Sequence, residues 1–457
     1  MESSKIENLS GIKNVYFVGI GGSGMFPLAY MLHERGYNVS GADIYESDTL
    51  QKVRKLGIKV YTSHAASNIK GQDLVVFSAA IKENNPEIVA AKAAGIPIIE
   101  RSVMLGLVFN KYENSVGVSG THGKTTTTSM ITSVLLDAAK DPSSIIGATL
   151  KKIGGNSCVG KSDIIVAEAC EYVDSFLQLY PKISVITNID ADHLDYFGTL
   201  DNVIKSFRKY ALQTRDYVVA NGDDSNVLRA VEGISAKVIS FGLDKSNDYY
   251  AQNITFGSMQ NAEFDIVHAS KVVSHVKLNV PGKHNVYNAL AAFVVCALMD
   301  VSAEEFSGAI QNFSGAHRRF EVLLRRDGIT VADDFAHHPT EIASTLEAAS
   351  KMNFKRVVAI FQPHTFSRTS MFAEEFAKAL SLADEVIVSE ILPVRETNIY
   401  GVKATDLTDK IENSHYIPTF EEICEFAVKN AQAGDLILTL GGGNVYKCAN
   451  MIAERLS

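Results

Sequence analysis

The 457-residue sequence predicts an α/β protein of three domains with mostly parallel sheets. Three times along the chain, an apolar run rich in β-branched residues precedes a glycine or polar turn and then a helical pattern. This order of elements is typical of parallel α/β architecture. The predicted domains are residues 1–110, 111–323 and 324–457.

The first domain begins with a strand at Val15–Ile20, and the turn GGSG leads into a helix that carries Met25 and Leu28. Further apolar runs at Val75 and Ile96 extend the sheet. A strand, a glycine turn and a helix in this order predict a Rossmann-like domain.

Apolar runs also predict the strands of the other two domains. A Gly-Lys-Thr turn after the first of these runs makes the central domain P-loop ATPase-like with a mostly parallel sheet, and the last domain is again Rossmann-like. Residues 238–280 indicate mixed short strands, and residues 289–299 indicate a buried helix too short to span a membrane. The runs start at Val116, Ile164 and Ile183 in the central domain and at Thr330, Val357, Glu385 and Asp435 in the last.

Composition narrows the class of protein. With 46% hydrophobic and 21% charged residues, the chain is typical of soluble globular proteins. Its net charge of -9 argues against general binding to nucleic acid or to a membrane surface. The five cysteines show no CxxC spacing, so neither a disulfide framework nor a zinc site is expected. A cytoplasmic protein, monomeric or weakly dimeric, fits best.

The strongest local signal lies between Ser115 and Leu136, where an apolar strand meets a glycine turn, a Lys-Thr pair and a helix. Amides of such a turn hold phosphate oxygens, Lys124 can reach the terminal phosphates, and the Thr125 hydroxyl can bind Mg²⁺. Val118 stands where the general P-loop pattern has its first glycine. A glycine turn that merely joins strand to helix is the alternative. The predicted ATP-binding loop comprises Gly120, Thr121, His122, Gly123, Lys124, Thr125 and Thr126.

A second glycine turn, VGIGGSGM at Val18, matches GxGxxG between a strand and a helix, with Asp43 19 residues beyond Gly24. This spacing suits a dinucleotide, with the carboxylate near a ribose or base. A hydride-transfer enzyme has no use for the second nucleotide loop, so a UDP-sugar is the favoured ligand. A turn required only for helix packing is the alternative.

Two central strands end in polar side chains. Glu168 and Glu171 follow one, and Asp190, Asp192 and His193 follow the other. Such side chains meet at the carboxyl edge of a parallel sheet and suit Mg²⁺. For Asp190 and Asp192 we favour helix capping instead.

Further polar motifs precede or lie in the last domain. HNVYNA supplies amides from His284 onward, and either Arg318 or Arg319 could stabilise charge on a phosphate. Solvated surface arginines are the alternative. The three histidines His337, His338 and His364 follow apolar runs without zinc-site spacing, so they are expected in turns or at substrate.

Taken in order, these motifs strongly resemble the Mur ligase family of cell-wall synthesis along essentially the whole chain. The motifs are GTHGKTTTT at Gly120, EACE at Glu168, TNIDADHLDYFG at Thr187, GKHNVYNA at Gly282, HRRFE at His317 and DDFAHHPTE at Asp333. Within the family, IGGSGM, HRRFE and FQPHTFSRT are most similar to the members that add L-alanine to UDP-N-acetylmuramate.

The resemblance implies that ATP phosphorylates the lactoyl carboxylate of UDP-N-acetylmuramate and that L-alanine attacks the acyl phosphate, in three domains that close around the substrates. It implies metal ligation by Thr125, Glu168 and His193, with Mg²⁺ as the metal. The implied nucleotide contacts outside the loop are His284, Asn285 and Asn288. The implied catalytic residues are Lys124, Glu168, His193, Arg319, Asp334, His337 and Arg368. The implied UDP-sugar contacts are Gly21, Gly22, Ser23, Gly24, Asp43, His64 and Ser78.

The sequence departs from the family pattern at three positions. Thr365 stands where many members have Arg, Cys170 replaces the Asp often found between the two glutamates, and Phe207 falls about where several later ligases carry a modified lysine. The last departure favours the alanine-adding branch. A ligase that recycles a murein tripeptide, an NAD-dependent oxidoreductase and a P-loop regulatory protein are the competing interpretations.

Overall fold

The computed structural model describes residue 4, residues 6–394 and residues 396–457. It forms two compact units. The first unit consists of the residues up to Phe241 together with Val294–Val301. The second consists of Gly242–Phe293 and Ser302–Ser457. The predicted α/β class is confirmed by three mostly parallel sheets, whereas domain boundaries near 111 and 323 stay a prediction. No described helix has the length and apolar composition needed to cross a bilayer.

The first sheet consists of five parallel strands in the order β3-β2-β1-β4-β5. The order reverses between β1 and β4, so a crevice opens beyond the carboxyl end of β1, where a Rossmann-like fold binds its ligand. The first strand ends at Val18, two residues earlier than predicted, because Gly19 turns the chain with a φ of 85°. The strands are β1 (Asn14–Val18), β2 (Asn38–Ala42), β3 (Lys59–Tyr61), β4 (Leu74–Phe77) and β5 (Ile98–Glu100). The helices are α1 (Phe26–Glu34), α2 (Asp48–Lys55), α3 (Pro86–Ala93) and α4 (Arg101–Phe109).

The second sheet of this unit has the strand order β12-β11-β10-β6-β9-β7-β8. All neighbours are parallel except β7 and β8, which are antiparallel. Its strands are β6 (Asn114–Ser119), β7 (Ser143–Leu150), β8 (Gly155–Cys158), β9 (Ile164–Glu168), β10 (Ile183–Ile186), β11 (Tyr217–Asn221) and β12 (Lys237–Gly242). The helices are α5 (Lys124–Asp137), α6 (Leu194–Phe197), α7 (Leu200–Leu212) and α8 (Ser225–Val231). The central strand β6 thus lies between β10 and β9, which places the turns after these three strands side by side.

The second unit begins with three antiparallel strands, β13 (Tyr249–Phe256), β14 (Asn261–His268) and β15 (Lys271–Pro281). Buried and exposed side chains alternate along β15, because one face packs on a core and the other meets solvent. These strands run for 8 to 11 residues, longer than the short strands expected. Helix α9 (His284–Leu298) begins in this unit and contains the predicted buried segment up to Leu298, and α10 (Ala303–Ile310) follows.

The last sheet has the order β16-β17-β21-β18-β19-β20 and is parallel apart from the β16–β17 pair. The six residues of β21 are all buried, because helices cover both faces of the sheet. Its strands are β16 (Glu321–Arg326), β17 (Ile329–Asp334), β18 (Arg356–Phe361), β19 (Glu385–Val388), β20 (Ser414–Tyr416) and β21 (Asp435–Leu440). The helices are α11 (Pro339–Ser350), α12 (Phe366–Met371), α13 (Ala373–Leu380), α14 (Thr405–Thr408), α15 (Phe420–Asn430) and α16 (Tyr446–Leu456).

Candidate active site

The glycine turn after β6 has the geometry of an anion-binding loop. Gly120 and Gly123 have φ values of 134° and 87°, and α5 begins directly afterwards at Lys124. A Cβ on Gly120 would lie 1.9 Å from Oγ1 of Thr187, so no other residue fits there. The first amides of a helix, here one of 14 residues, attract anions. The loop can therefore hold phosphate.

The segment after β10 holds this loop in place. The Thr187 hydroxyl donates to the carbonyl of His122 at 2.6 Å, and Asn188 both donates to that carbonyl and accepts from the His122 amide, at 2.9 and 2.8 Å. The amide of Asp190 donates to Oγ1 of Thr121 at 2.9 Å. Hydrogen bonds therefore hold the turn after β6 and the turn after β10 together.

Lys124 is paired with a carboxylate. Its Nζ donates to both carboxylate oxygens of Glu171, at 3.0 and 2.9 Å, and to the carbonyl of Thr121 at 3.1 Å. Burial is the largest single effect and lowers the pKa of the ammonium group, but the charge and hydrogen bond of Glu171 together with the charges of Cys170 and Glu168 raise the pKa above its usual value. Lys124 is thus a permanent cation at the start of α5.

The candidate metal ligands follow three adjacent strands, since Thr125 lies beyond β6, Glu168 ends β9 and His193 lies beyond β10. The Glu168 carboxylate also accepts from the amide of Gly147. His193 has a left-handed backbone with φ 54°, and its ring lies 4.7 Å from that of Tyr172. A hydroxyl, a carboxylate and an imidazole at one sheet edge suit Mg²⁺.

Helix capping by Asp190 and Asp192 is wrong. The helix after β10, α6, begins at Leu194, and His193 occupies its cap position without a side-chain cap. Each aspartate instead accepts from the next residue's amide, Ala191 and His193 respectively, at 2.7 Å. These bonds shape the turn between β10 and the helix.

In the first domain, the carboxylate of Asp43 accepts from the amides of Gly21 and Tyr45 at 2.9 and 3.1 Å. It thereby ties the glycine turn to the end of β2. Gly22 donates to the carbonyl of Gly19, and the carbonyl of Ser23 accepts from Asn156 at 2.9 Å. The contact between Asp43 and a ribose or base stays a prediction.

The other predicted UDP-sugar contacts lie on loops of the same sheet. Gly24 lies close to the side chain of Arg101, where an added Cβ would be 3.2 Å from Cδ. Ser78 directly follows β4. His64 follows β3, and its Nδ1 lies 2.7 Å from Oε2 of Glu87. Their contacts with a ligand stay predictions.

In the second unit, His284 is the first residue of α9, and its Nδ1 lies 2.8 Å from the hydroxyl of Ser344. Asn285 donates to the carbonyl of Pro281 at 2.7 Å, and Asn288 donates to Oδ1 of Asn285 at 2.9 Å. Both asparagines are buried. They brace the start of α9, and nucleotide binding by the three polar residues stays a prediction.

The tandem arginines have different surroundings. Arg318 is buried, with Nε 2.8 Å from Asp333 and with Nη1 and Nη2 donating to the carbonyls of Gly443 and Gly441 at 2.7 and 2.6 Å. Arg319 is partly exposed, and its Nη1 lies 3.9 Å from Oε1 of Glu341. Arg318 therefore stabilises the fold, and phosphate binding by Arg319 stays a prediction.

Polar side chains gather beyond β17. Asp334 accepts from the amides of Phe320 and Ala336 at 2.7 and 2.8 Å, and burial raises the pKa of its carboxyl to about 6 against the lowering effect of Arg319. The Nδ1 of His337 lies 3.3 Å from Oε2 of Glu341.

The next strand, β18, is followed by His364, whose ring lies 5.8 Å from that of His337. Burial, His337 and Arg368 lower the pKa of His364 to about 4, so it is neutral at pH 7. Thr365, with φ 67°, caps α12 by accepting from the amide of Arg368 at 3.3 Å. His338 caps α11. Turn or substrate contacts of His337, His338 and His364 stay a prediction.

Three family models match the chain: the Mur ligase family catalytic domain over residues 14–113, the Mur ligase middle domain over residues 118–296 and the Mur ligase glutamate ligase domain over residues 318–443. A UDP-N-acetylmuramate--L-alanine ligase of Caldanaerobacter subterraneus subsp. tengcongensis is 44% identical, with 98% of each chain covered. The protein of the same name from Caldicellulosiruptor saccharolyticus is 46% identical, with 96% of this chain and 98% of the relative covered.

Among solved structures, the UDP-N-acetylmuramate-alanine ligase of Thermotoga maritima superposes with a TM-score of 0.82 at 30% identity, covering 97% of this chain and 99% of that one. A murein peptide ligase of Psychrobacter arcticus shares the fold, with a TM-score of 0.73 at 24% identity over 98% of this chain and 99% of that one.

The three mostly parallel sheets, the lysine-bearing glycine loop in the second sheet and these likenesses together identify an ATP-dependent ligase that forms amide bonds. The chain belongs to the Mur ligase family. Neither the recycling ligase nor the oxidoreductase is favoured by these likenesses.

Proposed function

We propose that the protein joins L-alanine to the lactoyl carboxylate of UDP-N-acetylmuramate, with ATP converted to ADP and phosphate, in cytoplasmic peptidoglycan precursor synthesis. It acts as a monomer or a weak homodimer. The observation that carries the proposal is the position of Lys124 in a phosphate loop between the strands that lead to Glu168 and His193. The names of relatives that match nearly the whole chain support this choice of substrates.

The reaction needs activation because a carboxylate does not react with an amine at neutral pH. Attack of a carboxylate oxygen on the γ-phosphorus of ATP releases ADP and makes the acyl phosphate. The amine nitrogen then forms the amide bond, and phosphate leaves. The first transition state spreads negative charge over the phosphoryl oxygens, which Lys124 and the amides of Gly123 and Thr125 stabilise by position and charge.

The donor set fits a hard cation. Thr125, Glu168 and His193 would hold Mg²⁺, which supplies charge neutralisation of the phosphates when bound. Glu171 is less available, since both of its carboxylate oxygens accept from Lys124.

The last domain offers groups suited to the amino acid and to the transferring phosphate. Arg319 is the cation near the buried Asp334, and His337 and Arg368 follow strands β17 and β18, which lie on either side of β21. The neutral His364 can accept a hydrogen bond from an ammonium group. We assign amino-acid and phosphate contacts to these residues.

The decisive experiment measures phosphate release with ATP and Mg²⁺ while L-alanine and UDP-N-acetylmuramate are omitted in turn. Release should require both, and mass spectrometry should find the amide product. Hydroxylamine should trap the acyl phosphate as a hydroxamate when L-alanine is absent. Phosphate release that is indifferent to the sugar nucleotide, with neither product detected, would refute the proposal.

A further inference from the structure

A fully buried carboxylate lies in the first domain, outside all the residues assigned so far. Glu87 is 0% exposed and is the second residue of α3. Its Oε1 accepts from the Tyr16 hydroxyl at 2.6 Å and from Nδ2 of Asn68 at 2.7 Å, and its Oε2 lies 2.7 Å from Nδ1 of His64. A buried carboxylate is stable only when it is saturated in this way.

Two of the three hydrogen-bond donors to Glu87, Tyr16 and Asn68, are uncharged side chains that hold the carboxylate in place. Tyr16 lies in the middle of β1, and burial together with its bond to Glu87 raises its pKa, so the hydroxyl keeps its proton. The amide of Asn68 also donates to the carbonyl of Ser63 at 2.8 Å. Glu87 is thereby fixed from a strand and from the loop that carries His64.

His64 differs from the other two partners of Glu87 because part of its side chain is exposed. Its side chain is 17% exposed, and within the described residues its Nε2 has no protein partner. A ring nitrogen that faces a carboxylate carries its proton there, which makes Nε2 the nitrogen left for a ligand. A carboxylate behind a histidine fixes both the ring orientation and the tautomer in this way.

We propose that Glu87 is a positioning residue for the nucleotide-sugar substrate: it holds the His64 ring so that Nε2 accepts a hydrogen bond from a hydroxyl group of that ligand. The proposal rests on the proposed function and on the predicted contact of His64. Glu87 itself touches no substrate, because it is fully buried. Its effect is confined to binding of the sugar nucleotide and does not extend to the chemical steps, which the phosphate loop supports.

The test compares Glu87→Gln, His64→Ala and the double variant in the full chain, with KM and kcat measured for all three substrates. Glu87→Gln should raise the KM for UDP-N-acetylmuramate roughly tenfold, which is the order of one charge-assisted hydrogen bond. Its kcat and its KM for ATP and L-alanine should stay within about twofold. The double variant should bind no worse than His64→Ala, because Glu87 acts through His64.

Tyr16→Phe is the matched control. It removes a hydrogen bond from the same carboxylate and leaves the His64 contact in place, so it should lower thermal stability without moving the KM for the sugar nucleotide. Additive losses in the double variant, or equal KM changes for all three substrates, would show that Glu87 is merely structural.

A second measurement needs no Glu87 variant. Nitrogen-15 NMR of the wild-type protein, with His64→Gln used to assign the signal, should show the neutral His64 ring with its proton on Nδ1. A neutral tautomer with the proton on Nε2 would overturn the proposal. If wild-type enzyme fails to turn over UDP-N-acetylmuramate, the proposed function fails instead, so the two failures are distinguishable.

Discussion

The ammonium group of Lys124 lies 2.9 Å from Oε2 of Glu171, and these side chains are only 16% and 3% exposed. The cation of the phosphate loop is therefore neutralised by a carboxylate that follows the neighbouring strand β9. If Lys124 binds phosphate as proposed, the phosphate has to compete with that carboxylate for the ammonium group. Phosphate binding would then exchange one anion for another at a cation that stays charged.

Replacing Lys124 with Met should lower kcat by roughly 100-fold or more, because one preorganised donor to the phosphoryl oxygens is lost. Phosphate release under saturating substrates measures this. The variant also leaves Glu171 buried and unpaired, which destabilises by about 3–5 kcal/mol. The double variant Lys124→Met, Glu171→Gln should regain stability and stay inactive, whereas recovery of activity would contradict the role of Lys124.

Gly120→Ala should abolish nucleotide binding, since the new Cβ would lie 1.9 Å from Oγ1 of Thr187 and would also strain a backbone with φ 134°. Gly154→Ala is the matched control: it too has a positive φ, 62°, but nothing within 4 Å of its Cβ. The control should lose only about 1 kcal/mol of stability and keep its affinity for ATP. Calorimetric titration with an ATP analogue distinguishes the two, and equal losses would refute the steric explanation.

Arg318→Ala should mainly lower stability, whereas Arg319→Ala should mainly lower kcat. Loss of Arg318 leaves Asp333 buried without its cation and should cost about 3–5 kcal/mol of unfolding free energy. Loss of Arg319, which is partly exposed, should cost less stability than loss of Arg318 and lower kcat roughly 100-fold. Denaturant unfolding and steady-state kinetics on both variants test this, and a stable, inactive Arg318 variant would contradict it.

The buried carboxyl of Asp334 should make stability depend on pH. Its pKa is about 6 in the folded protein, above the ordinary value of 3.8, so the folded state binds more protons between these values. Stability from this group is therefore present at low pH and falls as the pH rises from about 4 to about 6.

The contribution of Asp334 to stability is measured by comparing the unfolding free energies of the wild type and Asp334→Asn from pH 4 to pH 7. The amide does not titrate, so the wild type should lose stability relative to the variant up to about pH 6 and stay level above it. A constant difference across that range would show that the carboxyl is not perturbed.

Strand and helix positions could be predicted because they depend on local patterns. The runs at Val75 and Val357 became β4 and β18, and the glycines from Gly120 form the predicted turn between a strand and helix α5. Class and strand direction follow from such repeats, since the carboxyl ends of parallel strands carry the polar turns.

The hydrogen-bond partners of side chains were harder to predict from the sequence. Asn188 holds His122 by two hydrogen bonds, but an asparagine after a strand has no distinctive spacing; only its position in TNID, directly after an apolar run, could have drawn attention to it. The capping interpretation of Asp190 failed because the chain first turns through His193, whose left-handed backbone no pattern indicates. Likewise, nothing in HRRFE distinguishes the buried arginine from the exposed one.

That division between Arg318 and Arg319 has a genetic consequence. Two neighbouring codons should yield two kinds of mutant allele. Substitutions at the buried arginine, whose guanidinium bridges Asp333 and two carbonyls, should behave as temperature-sensitive alleles that cooling or a stabilising second mutation rescues. Substitutions at its neighbour should be null at every temperature, and no suppressor that acts on folding should restore them.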